Sequence, residues 1–363
     1  MRNRYARTHF YRDPGSRFFD QSRAYEQKYS QHRQTETTIA SALGGLLPQE
    51  RHDLLLNILI AHTDPTEHPT WHQQWVSLAV DNLFTYNLSL SRAHDAHRLQ
   101  RWEQGRNFSE KGVFDYTYAL EQCHKTGTPY VGIFEDDIML AEGWLVHLLS
   151  GLSRLERDAS SSISSSSSSK PWLYLRMFNQ ERSTGWLSTR IGDNHEHWII
   201  TALWLALAPP MLLARRRWKA AHAVFSPASM FVLLGLIIPS YVVLFFQSGK
   251  ASLWPPRRGL ADEPFGCCSQ IMIFPREQVL PLMDFLRQKK TGQIDLLLNE
   301  RAEEEGLTRY ALYPVMAQHI GLDSARATTM SEAQAIWSMA YEDLNPETLR
   351  LDHRNMVDEY YGG

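Results

Sequence analysis

Two uncharged apolar runs in the middle of an otherwise polar chain limit its possible folds more than any other feature. Trp198–Ala214 and Ala228–Phe246 contain no Asp, Glu, Lys or Arg, and an apolar helix of about 17 to 25 residues crosses a bilayer. Neither run has the polar face that a surface helix of a water-soluble domain carries. Pro209, Pro210 and Pro239 interrupt them, which membrane helices tolerate when neighbours satisfy the freed carbonyls. A pair of buried core helices is the competing reading. The link holds Arg215, Arg216, Arg217 and Lys219, and short basic loops stay on the cytoplasmic side of a membrane. The pattern predicts a transmembrane helical hairpin over residues 197–247, with both flanking segments on the opposite side.

Those flanks then form one domain in two parts, residues 50–196 and 248–363, with a polar segment over 1–49 ahead of them. Met1–Gln49 lacks the apolar core of a signal peptide. Carrying the first part across a membrane normally needs such a signal, so an anchor upstream of Met1 is expected. The formal net charge of -3, from 37 basic and 40 acidic residues, argues against a nucleic-acid partner, which demands a concentrated basic surface. Three cysteines, Cys123, Cys267 and Cys268, lack the spacing of a zinc site. They allow at most one disulfide, for which Cys123 with one of the pair is the expectation. The sequons at Asn87 and Asn107 fit a lumenal location but carry little weight alone.

Strand-like and helix-like segments alternate on both sides of the hairpin. Leu54–Ala61 is a short apolar run ending at His62-Thr63-Asp64-Pro65, the pattern of a buried strand entering a loop. Trp71–Asn87 and Lys111–His124 have helical spacing. Tyr130–Phe134 is a strand, Gly143–Arg157 a helix and Trp172–Phe178 a strand; beyond the hairpin come a strand at Cys268–Phe274 and helices near 277–288 and 295–305. Ser160–Ser169 is low-complexity sequence that cannot bury a core and marks a surface insertion. Such alternation predicts a three-layer α/β/α domain, with the insertion splitting one sheet.

Glu135-Asp136-Asp137 stands where the Tyr130–Phe134 strand ends. Carboxylates fixed at a strand end can hold a hard divalent ion, which can neutralise a diphosphate leaving group; the bland reading is a solvated turn. Lys111 opens a helix and could contact a diphosphate, or be solvated. Asp295 suits a helix N-cap, a place compatible with a general base; Asp262 and Glu263 are the competing bases.

Four segments in order carry a resemblance: the Glu135–Asp137 triplet, Phe265–Gln270 with Gly266, Ile294–Leu298 with Asp295, and Pro314–Gly321 with His319. They resemble the motifs of nucleotide-sugar glycosyltransferases of the GT-A fold. With LRMF at Leu175–Phe178, QHIG at Gln318–Gly321 and the hairpin between Trp186 and Gly266, the chain resembles the GPI-N-acetylgalactosamine transferase family from about Leu54 to Tyr341. That family's GT-A domain is interrupted by tandem transmembrane helices. The resemblance implies a metal site for Mn2+ (or Mg2+) at Asp137 and His319, with Asp136 as second ligand or orienting group. It also implies donor contacts at His62, Asp64, Glu135 and Gly266, and Asp295 as base. The implied activity is inverting transfer of N-acetylgalactosamine from its UDP-sugar donor to the mannose core of GPI anchors. GPI-anchored proteins would be the acceptors, and the enzyme would sit in the Golgi membrane with its catalytic domain lumenal. Two rivals stand beside it. One is an enzyme like N-acetylglucosaminyltransferase IV acting on N-glycans, which shares the acidic and QHIG segments but lacks the hairpin. The other is a catalytically silent GPI-binding membrane protein.

Overall fold

The structure is a computed structural model and describes residues 34–88, 93–164, 171–179, 195–248, 257–262, 268–321 and 336–362. Its contacts divide the chain into two compact units: residues 1–180 with 256–363, and residues 181–255.

The larger unit is mixed α/β. It begins with helices α1 (Gln34–Leu43) and α2 (Pro48–Asp53), strand β1 (Asn57–Leu59), helix α3 (Gln74–Ala79) and strand β2 (Asn82–Phe84). Helices α4 (Ala93–Gly105) and α5 (Phe108–Lys125) lead to strands β3 (Tyr130–Phe134) and β4 (Ile138–Leu140), helix α6 (Trp144–Ser164) and strand β5 (Trp172–Arg176). β1 and β2 pair in parallel as a separate two-stranded sheet.

The smaller unit holds α7 (Glu196–Arg217), α8 (Lys219–Val224), α9 (Pro227–Phe231), a π-helical turn over Val232–Ile237 and α10 (Ile238–Ser248). Glu196–Arg217 and Pro227–Phe246 are both long and apolar enough to cross a membrane. Little of either is buried, and Leu205, Leu213, Phe231 and Tyr241 are largely exposed. A core helix of a water-soluble protein would hide such side chains. Within this unit the Trp204 indole N–H donates to the Leu234 carbonyl at 2.7 Å, inside the π-helical turn. Arg215 donates to the carbonyls of His222 and Phe225 at 2.8 and 2.6 Å, which closes the basic link.

The larger unit resumes with strands β6 (Gly259–Asp262) and β7 (Ile271–Pro275), then helices α11 (Arg276–Lys289) and α12 (Ile294–Glu304). Strands β8 (Thr308–Tyr313) and β9 (Ala317–His319) and helices α13 (Met339–Glu342) and α14 (Pro346–Tyr361) complete it. The principal sheet has the order β3-β7-β5-β8-β6; β5 and β8 are parallel and the other neighbours antiparallel. Strands from both sides of the smaller unit therefore share one sheet. Strand β7 shows why helices cover both faces, since alternate side chains of a strand point to opposite sides. Ile271 and Ile273 join the core under α6, with Trp144, Leu148 and Leu152; Met272 and Phe274 join the core under α5, α11 and α12, with Leu120, Leu282 and Leu298.

Three expectations need correction. Only Gln74–Ala79 of the expected Trp71–Asn87 helix is helical: Pro69 starts a 3₁₀ turn before it, and the chain then extends to pair with β1. The expected helix Gly143–Arg157 begins at Trp144 and runs on through Ser164, into the serine run. Cys123 is a free thiol packed against the core under α5, while Cys268 is disulfide-bonded, so the expected bridge from Cys123 does not form.

Candidate active site

Strand β4 follows the acidic triplet and pairs antiparallel with β9, with Ile138 opposite His319. The Ile320 N–H donates to the Asp137 carbonyl at 2.8 Å, continuing that pairing into the turn. Two residues 182 positions apart thereby meet: His319 Nε2 lies 3.1 Å from Asp137 Oδ2. Burial pulls the His319 pKa down, but the hydrogen bond and charge of Asp137 outweigh it and hold it above the ordinary histidine value. The other carboxylate oxygen, Asp137 Oδ1, is buried with no hydrogen-bond partner. Buried carboxylate oxygens are normally satisfied, so an oxygen left in this state suits a cation ligand.

Gly321 makes the approach possible. A Cβ on it would lie 2.1 Å from Asp137 Oδ2 and 3.0 Å from His319 Nε2, so only glycine leaves the carboxylate its place. The glycine of QHIG thus has a steric role at the site that the sequence pattern alone does not reveal.

The other two carboxylates behave differently. Glu135 accepts a hydrogen bond from the Ser269 hydroxyl at 2.6 Å, and its N–H donates to the Gln270 carbonyl at 2.9 Å. Burial, and then the charge of Asp137, raise its pKa. Asp136 points toward solvent and accepts from the Thr35 hydroxyl at 3.2 Å. Among the described residues no three His, Cys, Asp or Glu side chains are grouped closely enough to hold a metal ion by themselves. Asp137 and His319 supply a pair of donors, and hard divalent ions accept phosphate and water oxygens in their remaining positions.

A second cluster forms beyond the ends of β1 and β2. His62 Nδ1 lies 2.8 Å from the Asp64 carbonyl. The Thr66 hydroxyl and N–H hold the exposed Asp64 carboxylate below its ordinary pKa. Lys111 is buried, with its ammonium 2.7 Å from the Ala61 carbonyl, 2.9 Å from the Tyr86 hydroxyl and 2.8 Å from Asp115. An ammonium has three donors, and all three are engaged within the fold. That occupancy makes Lys111 a brace between α5 and the ends of the small sheet rather than the solvated lysine of the alternative reading. The neighbouring Tyr116 faces the opposite side of α5, where the charge of Glu135 contributes to raising its pKa, after burial.

Asp295 lies in the first turn of α12, not at its N-cap, which is Gln293, and its carboxylate accepts from the Leu296 N–H at 2.9 Å. Among the described residues no contact joins it to Asp137 or His319. Asp262 ends the edge strand β6. Gly266 and Glu263 lie outside the described residues.

Acidic turn, His319 strand and paired apolar helices occur in an order that can be compared with known families. A family model described as GPI-N-acetylgalactosamine transferase PGAP4 matches residues 37–318. The chain belongs to this family. The match takes in α1 from Thr37 onward, the acidic turn and both apolar helices, and ends one residue before His319. Comparison with curated proteins and with solved structures gave no match. PGAP4 membership makes the chain a glycosyltransferase of GPI chemistry.

Proposed function

We propose that this PGAP4-family chain transfers N-acetylgalactosamine from UDP-N-acetylgalactosamine to the mannose core of GPI anchors, using a GT-A domain held at the Golgi membrane by its helical hairpin. The observation that carries this reading is the buried, unpartnered Asp137 Oδ1 beside His319, in a chain matched to that family. A divalent ion, Mn2+ or Mg2+, bound through Asp137 and His319 would offset the charge that builds on the UDP leaving group.

The chain's own groups have definite tasks. Gly321 leaves room for the Asp137 carboxylate, and the Ser269 hydroxyl orients Glu135 toward the donor. As the acceptor hydroxyl oxygen bonds to the anomeric carbon and the bond from that carbon to the diphosphate breaks, Asp295 takes the hydroxyl proton. His62 and Asp64 lie at the end of β1, where the nucleotide would rest. The hairpin confines the enzyme to the same layer as a lipid-linked acceptor, which raises the effective concentration of one for the other. The basic link, of the kind that stays on the cytoplasmic side, supports a lumenal catalytic domain.

Thermal stabilisation of the detergent-purified chain by UDP-N-acetylgalactosamine, UDP-N-acetylglucosamine and UDP-galactose, with and without Mn2+, tests the assignment. Stabilisation that needs Mn2+, favours the N-acetylgalactosamine donor and is lost in Asp137→Ala is expected. No shift with any donor in folded protein would favour a silent binding protein.

A further inference from the structure

Strand β4 has two edges. Its partner β9 covers one, and helix α1, from a stretch with no sheet of its own, covers the other with side chains. The Thr38 hydroxyl lies 2.7 Å from both the Asp136 and Ile138 carbonyl oxygens, donates to one of them, and accepts from the Ile138 N–H at 3.1 Å. One turn on, Ser41 accepts from the Leu140 N–H at 3.0 Å; one turn back, Thr35 donates to the Asp136 carboxylate at 3.2 Å. Residues three apart lie on one face of a helix, so Thr35, Thr38 and Ser41 form one polar row along residues 136–140. Ile39 turns the other way into the core with Val76 and Val80, which fixes the rotation of the helix.

We propose that α1 is a clamp on the acidic turn and that Thr38 is a positioning residue for Asp137, setting the affinity of the cation and nucleotide site. This rests on the donor-site reading given above. With only three residues in β4, few backbone bonds resist rotation of the turn, and a side chain held loosely by its supporting groups loses its binding geometry. Thr38 bridges the peptide groups on either side of Asp137 and so resists the rotation that would swing its carboxylate away from His319.

The test is a Mn2+ titration of thermal stabilisation by UDP, on the full chain in detergent, for wild type, Thr38→Val and Thr38→Ser. Loss of a supporting hydrogen bond weakens metal binding about 10-fold or more, so Thr38→Val should raise the half-saturating Mn2+ concentration by roughly that factor, and Thr38→Ser should restore it to within about twofold. A lower melting temperature without ligand accompanies any buried hydroxyl loss and decides nothing; the Mn2+ midpoint decides. A folded Thr38→Val protein with the wild-type midpoint overturns the clamp while leaving the donor site standing. Should Thr38→Val fail to fold, Thr35→Val removes the exposed bond to Asp136 and is expected to raise the midpoint by about threefold, the low end of a single hydrogen bond's net worth, an unchanged midpoint overturning the clamp. A wild-type protein that shows no Mn2+-dependent response withdraws the donor site and the clamp together.

Discussion

Single atoms decide the site at the residue scale. Gly321→Ala adds one methyl group where the nearest atom, Asp137 Oδ2, would stand 2.1 Å away, a distance that forces the carboxylate or the strand to move. The substitution is expected to leave the fold intact, since the displaced atom belongs to a side chain, but to weaken Mn2+-dependent UDP binding by about 100-fold, the upper range for disturbed ligand orientation. Calorimetric titration of the purified variant checks this; wild-type affinity would mean that Asp137 is not a ligand. The acidic triplet was legible in the sequence because three carboxylates follow an apolar run. The role of Gly321 was not, because a steric demand by a residue 184 positions away leaves no local signature. Lys111 shows the reverse: its place at a helix start suggested a free cation, while burial saturates it with Ala61, Tyr86 and Asp115.

At the scale of elements, the short ones were the hardest to read. β4 and β9 have three residues each, too few for an alternating pattern to stand out from chance. α5 and α11 are long and amphipathic and were legible within a few residues of their ends, and α6 at its start but not at its end. α1 was hidden by its composition, because its row of Thr and Ser resembles a solvated face until β4 is placed against it. Between the apolar helices the indole of Trp204 donates to Leu234, where the π-helical turn alters the ordinary carbonyl pairing. Interhelical hydrogen bonds in membranes contribute about 0.6 kcal/mol on average. Trp204→Phe should therefore lower the melting temperature of the detergent-solubilised chain only slightly, while increasing hydrogen exchange in 232–237. Unchanged exchange there would show that the indole bond does not hold the turn.

Across the whole molecule, the ends of the larger unit are tied together. His353 on α14 sits 2.7 Å from Glu50 on α2 and 3.8 Å from Glu142 ahead of α6, and Tyr361 donates to Asp53 at 2.9 Å. Burial alone would lower the His353 pKa, but Glu142 and Glu50 outweigh it and push it up to about 9. A raised pKa means the folded state holds the proton more tightly than the unfolded chain. The resulting stability is complete below the unfolded value of about 6.5 and is lost as pH rises through about 9. Melting temperature should accordingly fall between those limits in wild type and change less in His353→Gln. Glu50→Gln leaves the imidazolium short of a partner and should cost about 3 kcal/mol at pH 6. A wild-type and His353→Gln difference that is constant with pH would refute the linkage.

The sequence by itself determined the features that local pattern controls. Uncharged stretches of membrane length mark the two long apolar helices, an apolar run ending in carboxylates marks the acidic turn, and helical spacing marks the longer helices. Only the tertiary structure decided which side chains meet: His319 with Asp137, Thr38 with the turn, Ser269 with Glu135 and His353 with Glu50. These are contacts between residues roughly one hundred to three hundred positions apart, made where short segments pass one another. Periodicity within a segment tells which face is buried, whereas the partner of that face depends on how the whole chain closes its sheet.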